Sequence, residues 1–206
     1  MKLFFAPLSC SMATRISLYE AGLDARFVQV ELVTKRTKEG EDYLEINSKG
    51  QVPALLTEDG TVITEGPAVL QYVADRAPDS KLAPKPGTLE RTQLHQWLNY
   101  ISTEIHKAVF YLLFNPDAPA ESKSFARDNL PAKYDFLSET LSQRDYLVGD
   151  NFTVADAYLV TTLGWADAAG VDLSPWPDLA AYRDRMIARQ AVGRAFAEEA
   201  ELRAAG

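Results

Sequence analysis

Cysteine is nearly absent from this chain of 206 residues, with Cys10 as its only example. An internal disulfide framework is therefore excluded, and a lone thiol suits a reducing compartment, so the expected location is the cytoplasm. Histidine is scarce too, limited to His95 and His106, and no metal is expected. No uninterrupted apolar run approaches the roughly 18 residues of a membrane span. Met1-Lys2, the apolar stretch Leu3 to Ala6 and Leu8-Ser9-Cys10 loosely imitate a lipoprotein signal. That stretch is far shorter than the roughly 7 to 15 residues such a signal needs, and Pro7 interrupts it, so the imitation is rejected. Blocks of like charge are missing as well, and the net charge is -8. Such a surface repels polyanions, so neither nucleic acid nor an anionic membrane is an expected partner. There are no internal repeats and no low-complexity tracts.

What is present is a composition 47% hydrophobic, enough for one large domain or two small ones with their own cores. Leu3 to Ala6 reads as a strand, and Met12, Ile16 and Tyr19 follow at helical spacing. Gly22 stands at a C-terminal cap, and Ala25 to Leu32 alternates like a second strand. A short irregular helix is expected around Tyr43, Leu44 and Ile46. The runs Val52 to Leu56 and Thr61 to Ile63 flank Asp59-Gly60, a hairpin signal. Glu65-Gly66-Pro67 opens a third helix, with proline preorganised for its first turn. The order is β-α-β-α-β-β-α.

Residues 77–88 hold three prolines and a glycine, which marks a linker. The expected division is a domain at 1–78, a linker at 79–88 and an all-helical domain at 89–206. Its first helix spans about Leu89 to Phe114, about 40 Å at 1.5 Å per residue. Pro131 is expected to kink or divide the next one, at about 121–143. Thr153 and Asp156 form a capping-box variant at a helix start. A last amphipathic helix begins at Pro175-Trp176-Pro177-Asp178, and the Ala- and Glu-rich end is expected to be peripheral.

Cys10 sits at a strand-to-helix turn, where unpaired backbone N–H groups and the helix dipole favour a thiolate. By itself it reads more readily as a small buried hydrophobe. His106 by itself reads more readily as a structural histidine, and His95 as surface or packing. Phe110, Tyr111, Phe114 and Trp165 read either as plain core or as the lining of an apolar site.

Five motifs change this balance: Pro7-x-Ser9-Cys10-Ser11, Gly50-Gln51-Val52-Pro53-Ala54-Leu55, Glu65-x-Pro67-Ala68-Val69-Leu70-Gln71-Tyr72, Asn99-Tyr100-x-x-x-Glu104-x-His106-Lys107 and Thr153-x-Ala155-Asp156. In this order the whole chain resembles the glutathione S-transferases, and within them the bacterial beta class, which uses a cysteine where other classes use tyrosine or serine. The resemblance implies a thioredoxin-like domain followed by a helical bundle, an α/β plus all-α protein. It implies glutathione as co-substrate and a small hydrophobic electrophile as second substrate. Cys10 and His106 are then the catalytic pair. The backbone of Val52, beside a cis Pro53, meets the cysteinyl unit, while Glu65 and the N–H of Gly66 hold the γ-glutamyl end. Lys35 and Lys107 serve the glycyl end and the sulfur region. Asn99 and Glu104 reach the glutathione of a neighbouring subunit, which implies a homodimer. Leu8, Phe110, Tyr111, Phe114 and Trp165 are the candidates for the electrophile. Two positions depart from the family. Gly66 lacks the usual hydroxyl, and Leu8 stands where relatives often have glycine. The implied activity is conjugation at the glutathione thiol, with disulfide exchange or peroxide reduction through Cys10 also open. The alternative is a non-catalytic protein on the same fold that binds glutathione or apolar ligands.

Overall fold

The computed structural model describes residues 1–205, and its first part follows the expected order. Strand β1 (Lys2–Phe5) leads to helix α1 (Met12–Glu20), then to β2 (Arg26–Glu31), α2 (Tyr43–Ile46), β4 (Ala54–Leu56), β5 (Val62–Thr64) and α3 (Gly66–Arg76). One element escaped the sequence pattern: β3 (Arg36–Thr37), a two-residue edge strand too short for any alternation. The sheet order is β3-β2-β1-β4-β5, with β1 and β2 parallel and the other pairs antiparallel. Strand β1 is central and covered on both sides, which is why it reads as a continuous apolar run. Leu3 and Phe5 point into a core with Leu18, Leu55, Val69 and Val73, whereas Phe4 points to the opposite face with Val28, Val30, Tyr43 and Ala54.

Residues 1–83 form one compact unit together with the chain from Arg189 onward, and residues 84–188 form the other. This differs from the expected division at 79–88 with everything beyond it helical and separate. The difference lies in α9 (Gln190–Ala204), whose Val192, Ala195 and Glu199 are buried. The Ala- and Glu-rich end is therefore not peripheral. Arg15 of α1 is the reason: its guanidinium pairs with Glu199 at 2.9 Å and Glu198 at 3.0 Å while lying 4.4 and 4.1 Å from the ring centroids of Phe5 and Phe27. Arg189 adds a two-bond pair with Glu20 at the other end of α1, at 2.8 and 2.9 Å.

The helical unit begins with α4 (Leu89–Tyr100), capped by Thr88, whose hydroxyl accepts from the Arg91 N–H at 3.2 Å. The helix continues as expected to Phe114, but Ile101–Phe110 is wound as a π-helix before α5 (Tyr111–Phe114). The Tyr111 N–H bonds to the carbonyl of His106, five residues back. Helix α6 (Ala120–Leu141) holds Pro131 in its interior without being divided. Pro131 and Arg127, whose carbonyl loses its donor, are both exposed, so water can take the missing bond. Helix α7 (Val154–Leu163) is buried along its whole length, and α8 (Pro177–Ile187) follows. The capping box at Thr153 and Asp156 is formed. Asp156 also accepts from the Leu147 N–H at 2.9 Å and the Tyr182 hydroxyl at 2.8 Å.

Candidate active site

In the sheet unit, the turn Pro7 to Ser11 delivers Cys10 to the start of α1, partly exposed. Ser11 ties the turn to the end of β1, its Oγ accepting from the Ala6 N–H at 3.2 Å. The Cys10 thiol donates to the carbonyl of Val52 at 3.2 Å. Two expected site residues 42 positions apart are thereby brought together. The Val52-Pro53 bond is cis. Just before it, the Gln51 carbonyl accepts from the Tyr43 hydroxyl at 2.7 Å and the Asn47 amide at 2.8 Å, so the approach to β4 is fixed from below. Burial pushes the Tyr43 phenol up to about 12, which keeps it a donor.

Backbone strain marks the same places. Among the described residues, the non-glycine positions with positive φ are Leu8 at 58°, Lys35 at 56°, Glu65 at 69° and Lys81 at 59°. Three of these four are expected site residues, and such conformations persist only where surrounding structure imposes them. At Leu8 the constraint is visible: its N–H donates to Glu199 of α9 at 2.7 Å. This left-handed backbone is one that glycine adopts without the strain a leucine carries. Burial pushes the Glu199 carboxyl up to about 7 despite the neighbouring Arg15. Lys35 donates to the Gly50 carbonyl at 2.9 Å. A Cβ on Gly50 would stand 3.0 Å from the Lys35 stem, so this glycine permits the close approach.

Glu65 precedes α3, with its carbonyl accepting from the N–H groups of Ala68 and Val69 at 3.0 Å each. Its carboxylate is exposed and pairs with Lys49 at 2.5 Å, while Lys49 also reaches the Thr64 hydroxyl at 2.8 Å. Lys49 went unnoticed in the sequence, although it directly precedes the Gly50 to Leu55 motif. Gly66 has open space where a side chain would begin.

The helical unit gathers a second group. His106 lies 5.1 Å from Trp165 between ring centroids, Phe110 lies 5.5 Å from Trp165, and Phe114 lies 6.0 Å from Phe110 and 6.2 Å from Trp165. Phe110 and Trp165 are buried, whereas Phe114 is 46% exposed, so the cluster opens outward at Phe114. Tyr111 stands apart from these rings, with the Lys107 ammonium 4.7 Å from its ring centroid. The Nδ1 of His106 lies 2.7 Å from the Tyr158 hydroxyl. Burial, reinforced by Lys107, lowers the imidazole to about 4, so the ring is neutral near pH 7. Tyr158 is a residue that sequence reasoning missed: α7 is buried all round, so its pattern gives no sign of where one hydroxyl points. Asn99 is exposed, and Glu104 pairs with Lys133 at 2.5 Å. His95 accepts from Arg91 at 3.2 Å. Among the described residues no group of three or more ligating side chains suits a metal, and no helix is long and apolar enough to cross a membrane.

Comparison with known proteins agrees over nearly the whole chain. Residues 1–75 match the family model of the glutathione S-transferase N-terminal domain and residues 100–190 that of the C-terminal domain. The chain is 45% identical to glutathione S-transferase GstA of Escherichia coli O157:H7, covering 97% of this chain and 98% of the relative. It is 34% identical to glutathione S-transferase GST-4.5 of Xanthomonas campestris pv. campestris at the same coverage. Among solved structures, a ternary complex of BphK, a bacterial enzyme of this family, superposes with a TM-score of 0.94 at 46% identity, over 97% of this chain and 100% of that one. A beta-class enzyme from Sphingomonas chungbukensis gives 0.93 at 41%, covering 97% and 98%. A sheet domain carrying a cysteine at its first helix start, a helical domain carrying the aromatic cluster and full-length relatives thus agree that the chain belongs to the glutathione S-transferase family, as a transferase with glutathione as co-substrate.

Proposed function

We propose that this protein joins the glutathione thiol to small hydrophobic electrophiles, with Cys10 and His106 serving the sulfur. The observation that carries this reading is the pairing of Cys10 with the Val52 carbonyl at 3.2 Å. It sets a thiol beside a strand-entry backbone at a helix start, the surface a peptide thiol needs. Glu65 takes the γ-glutamyl ammonium, in competition with Lys49, and the N–H of Gly66 at the start of α3 takes its carboxylate. Lys35 and Lys107 supply cations for the glycyl end. Charge-assisted contacts are worth roughly 1.5 to 3 kcal/mol each, so three or four reach the micromolar-to-millimolar affinity that suits an abundant thiol. Phe110, Phe114 and Trp165 take the apolar part of the electrophile, and Leu8 and Tyr111 tune which ones are accepted. Asn99 and Glu104 act across a homodimer. A chain with a single cysteine suits a cytoplasmic setting.

Conjugation needs only activation and orientation of the bound sulfur. The thiol gives up its proton to solvent, and its electron pair forms the new C–S bond as the leaving group departs with the bonding pair. The exposure of Cys10 favours a second activity on the same site. Its thiolate attacks the disulfide of a glutathione mixed disulfide, taking the glutathionyl group and releasing the other thiol; a second glutathione thiolate then regenerates Cys10 and leaves as glutathione disulfide. Cys10→Ala is the test. Disulfide exchange should disappear, while conjugation of an activated aryl halide should fall without vanishing. Loss of both activities would mean that Cys10 activates the ligand thiol itself. Retention of the unaltered protein on a glutathione resin with neither activity would favour the non-catalytic alternative.

A further inference from the structure

We infer that Tyr158 is a positioning residue that holds His106 in one tautomer, with the proton on Nε2, so that His106 meets the bound sulfur as a hydrogen-bond donor and not as a base. The inference rests on the reading that His106 serves that sulfur. The geometry is a 2.7 Å contact between the Tyr158 hydroxyl and Nδ1 of His106, with Tyr158 buried on α7. Two assignments of the shared proton satisfy this distance, and acidity separates them. A phenol, with its pKa of about 10, is a much stronger donor than a neutral imidazole N–H, and the imidazole nitrogen is the better acceptor. The hydroxyl therefore donates and Nδ1 accepts. A neutral ring has one proton of its own, which is left on Nε2.

The surroundings keep the ring in that state. Trp165 lies 5.1 Å from it edge-on, and Lys107 is the next residue in the chain, so a second proton is opposed by burial and by a neighbouring cation. A ring whose Nδ1 lone pair is engaged and whose Nε2 carries a proton has no free lone pair in its plane with which to take a proton. What it offers is one fixed N–H, which is worth most when the group it meets is anionic. The π-winding of Ile101–Phe110 belongs to the same device, because the carbonyl of His106 accepts the five-residue-back bond from Tyr111. Backbone and side chain of His106 are each fixed by a tyrosine.

The chain has only two imidazoles, which makes the test direct. Nitrogen NMR of protein labelled at histidine distinguishes the tautomers, and His95 supplies an internal contrast, since its Nε2 accepts from Arg91 and its proton belongs on Nδ1. His95→Gln assigns the two signals. The expected result is a pure Nε2–H form for His106 near neutral pH that becomes a mixture of tautomers in Tyr158→Phe. Conjugation kcat in that variant should fall about tenfold with an almost unchanged KM for glutathione. An Nδ1–H form in the parent, or a tautomer unaltered by Tyr158→Phe, would overturn the assignment. His106→Ala run in parallel tests the reading beneath it: a loss smaller than twofold would remove His106 from the sulfur, whatever its tautomer.

Discussion

The turn that carries Cys10 is held by one ionisable group taken out of water, Glu199 of α9, and the helical segment that carries His106 contains another, and burial acts on the two in opposite senses. Glu199 is pushed up to about 7 and His106 is lowered to about 4. Both shifts favour the uncharged form. Their consequences for stability nevertheless run against each other. Between about pH 4.5 and 7 the folded chain keeps a proton on Glu199 that the unfolded chain has released, so this contribution falls as pH rises. Between about pH 4 and 6.5 the unfolded chain protonates a histidine that the folded chain keeps neutral, so this contribution rises with pH. The sheet region tolerates a buried carboxyl because Arg15 and the Leu8 N–H surround it. The helical region tolerates a buried imidazole because one hydroxyl answers its acceptor nitrogen.

Removing the carboxyl should give the largest effect. Glu199→Ala leaves Arg15 buried with Glu198 and the Tyr19 hydroxyl but without Glu199 and removes the carboxyl that accepts from the Leu8 N–H, and breaking a buried pair costs about 3 to 5 kcal/mol. A loss of about 3 kcal/mol is expected, measured by denaturant unfolding at about pH 8, where the carboxyl is ionised, together with slower alkylation of Cys10 as its turn loosens. A loss under 1 kcal/mol would show that α9 does not hold the turn.

The opposition of the two groups is sharpened by single-group variants that no longer titrate. Glu199→Gln keeps an acceptor for Leu8, so its stability relative to the parent should climb as pH rises from 4.5 to 7. His106→Asn should show the reverse, gaining relative to the parent as pH falls from 6.5 to 4. Each swing is on the order of 2 kcal/mol. Difference curves of the same sign in the two variants would break the comparison.

The smallest expected effect is a gain. Gly66→Ser places a hydroxyl where nothing stands within 4 Å of the new Cβ. One added hydrogen bond to the γ-glutamyl carboxylate should tighten glutathione by about 1 kcal/mol, close to fivefold in Kd by calorimetry, with kcat unchanged. Weaker binding would place the γ-glutamyl end elsewhere.

Local chemistry explains which of these features the sequence disclosed. The strand β1, the Asp59-Gly60 hairpin, Pro67 at the start of α3 and the Thr153 capping box each have their cause within a few residues, and each was legible. Cys10 and Val52 were legible as a pair only through the family resemblance, since nothing in either segment refers to the other. The winding of Ile101–Phe110 left no trace, because Ile101, Ile105 and Val109 are buried at a spacing of four, which an α-helix also satisfies. Tyr158 was hidden for the opposite reason, in a helix with no exposed face to set its orientation. Glu199 was misread because a glutamate in an Ala- and Glu-rich helix reads as surface. What buries it is an arginine on α1, and no window of sequence contains both.

That long separation has a consequence for biosynthesis. Leu8 and the carboxyl that holds its N–H are 191 residues apart, so the Cys10 segment leaves the ribosome well before its anchor. At roughly 5 to 20 residues per second the interval is roughly 10 to 40 s. For that time the nascent chain displays its only thiol on a turn without its distal anchor. The order of synthesis therefore separates the making of the Cys10 turn from its completion by the time taken to add the residues in between.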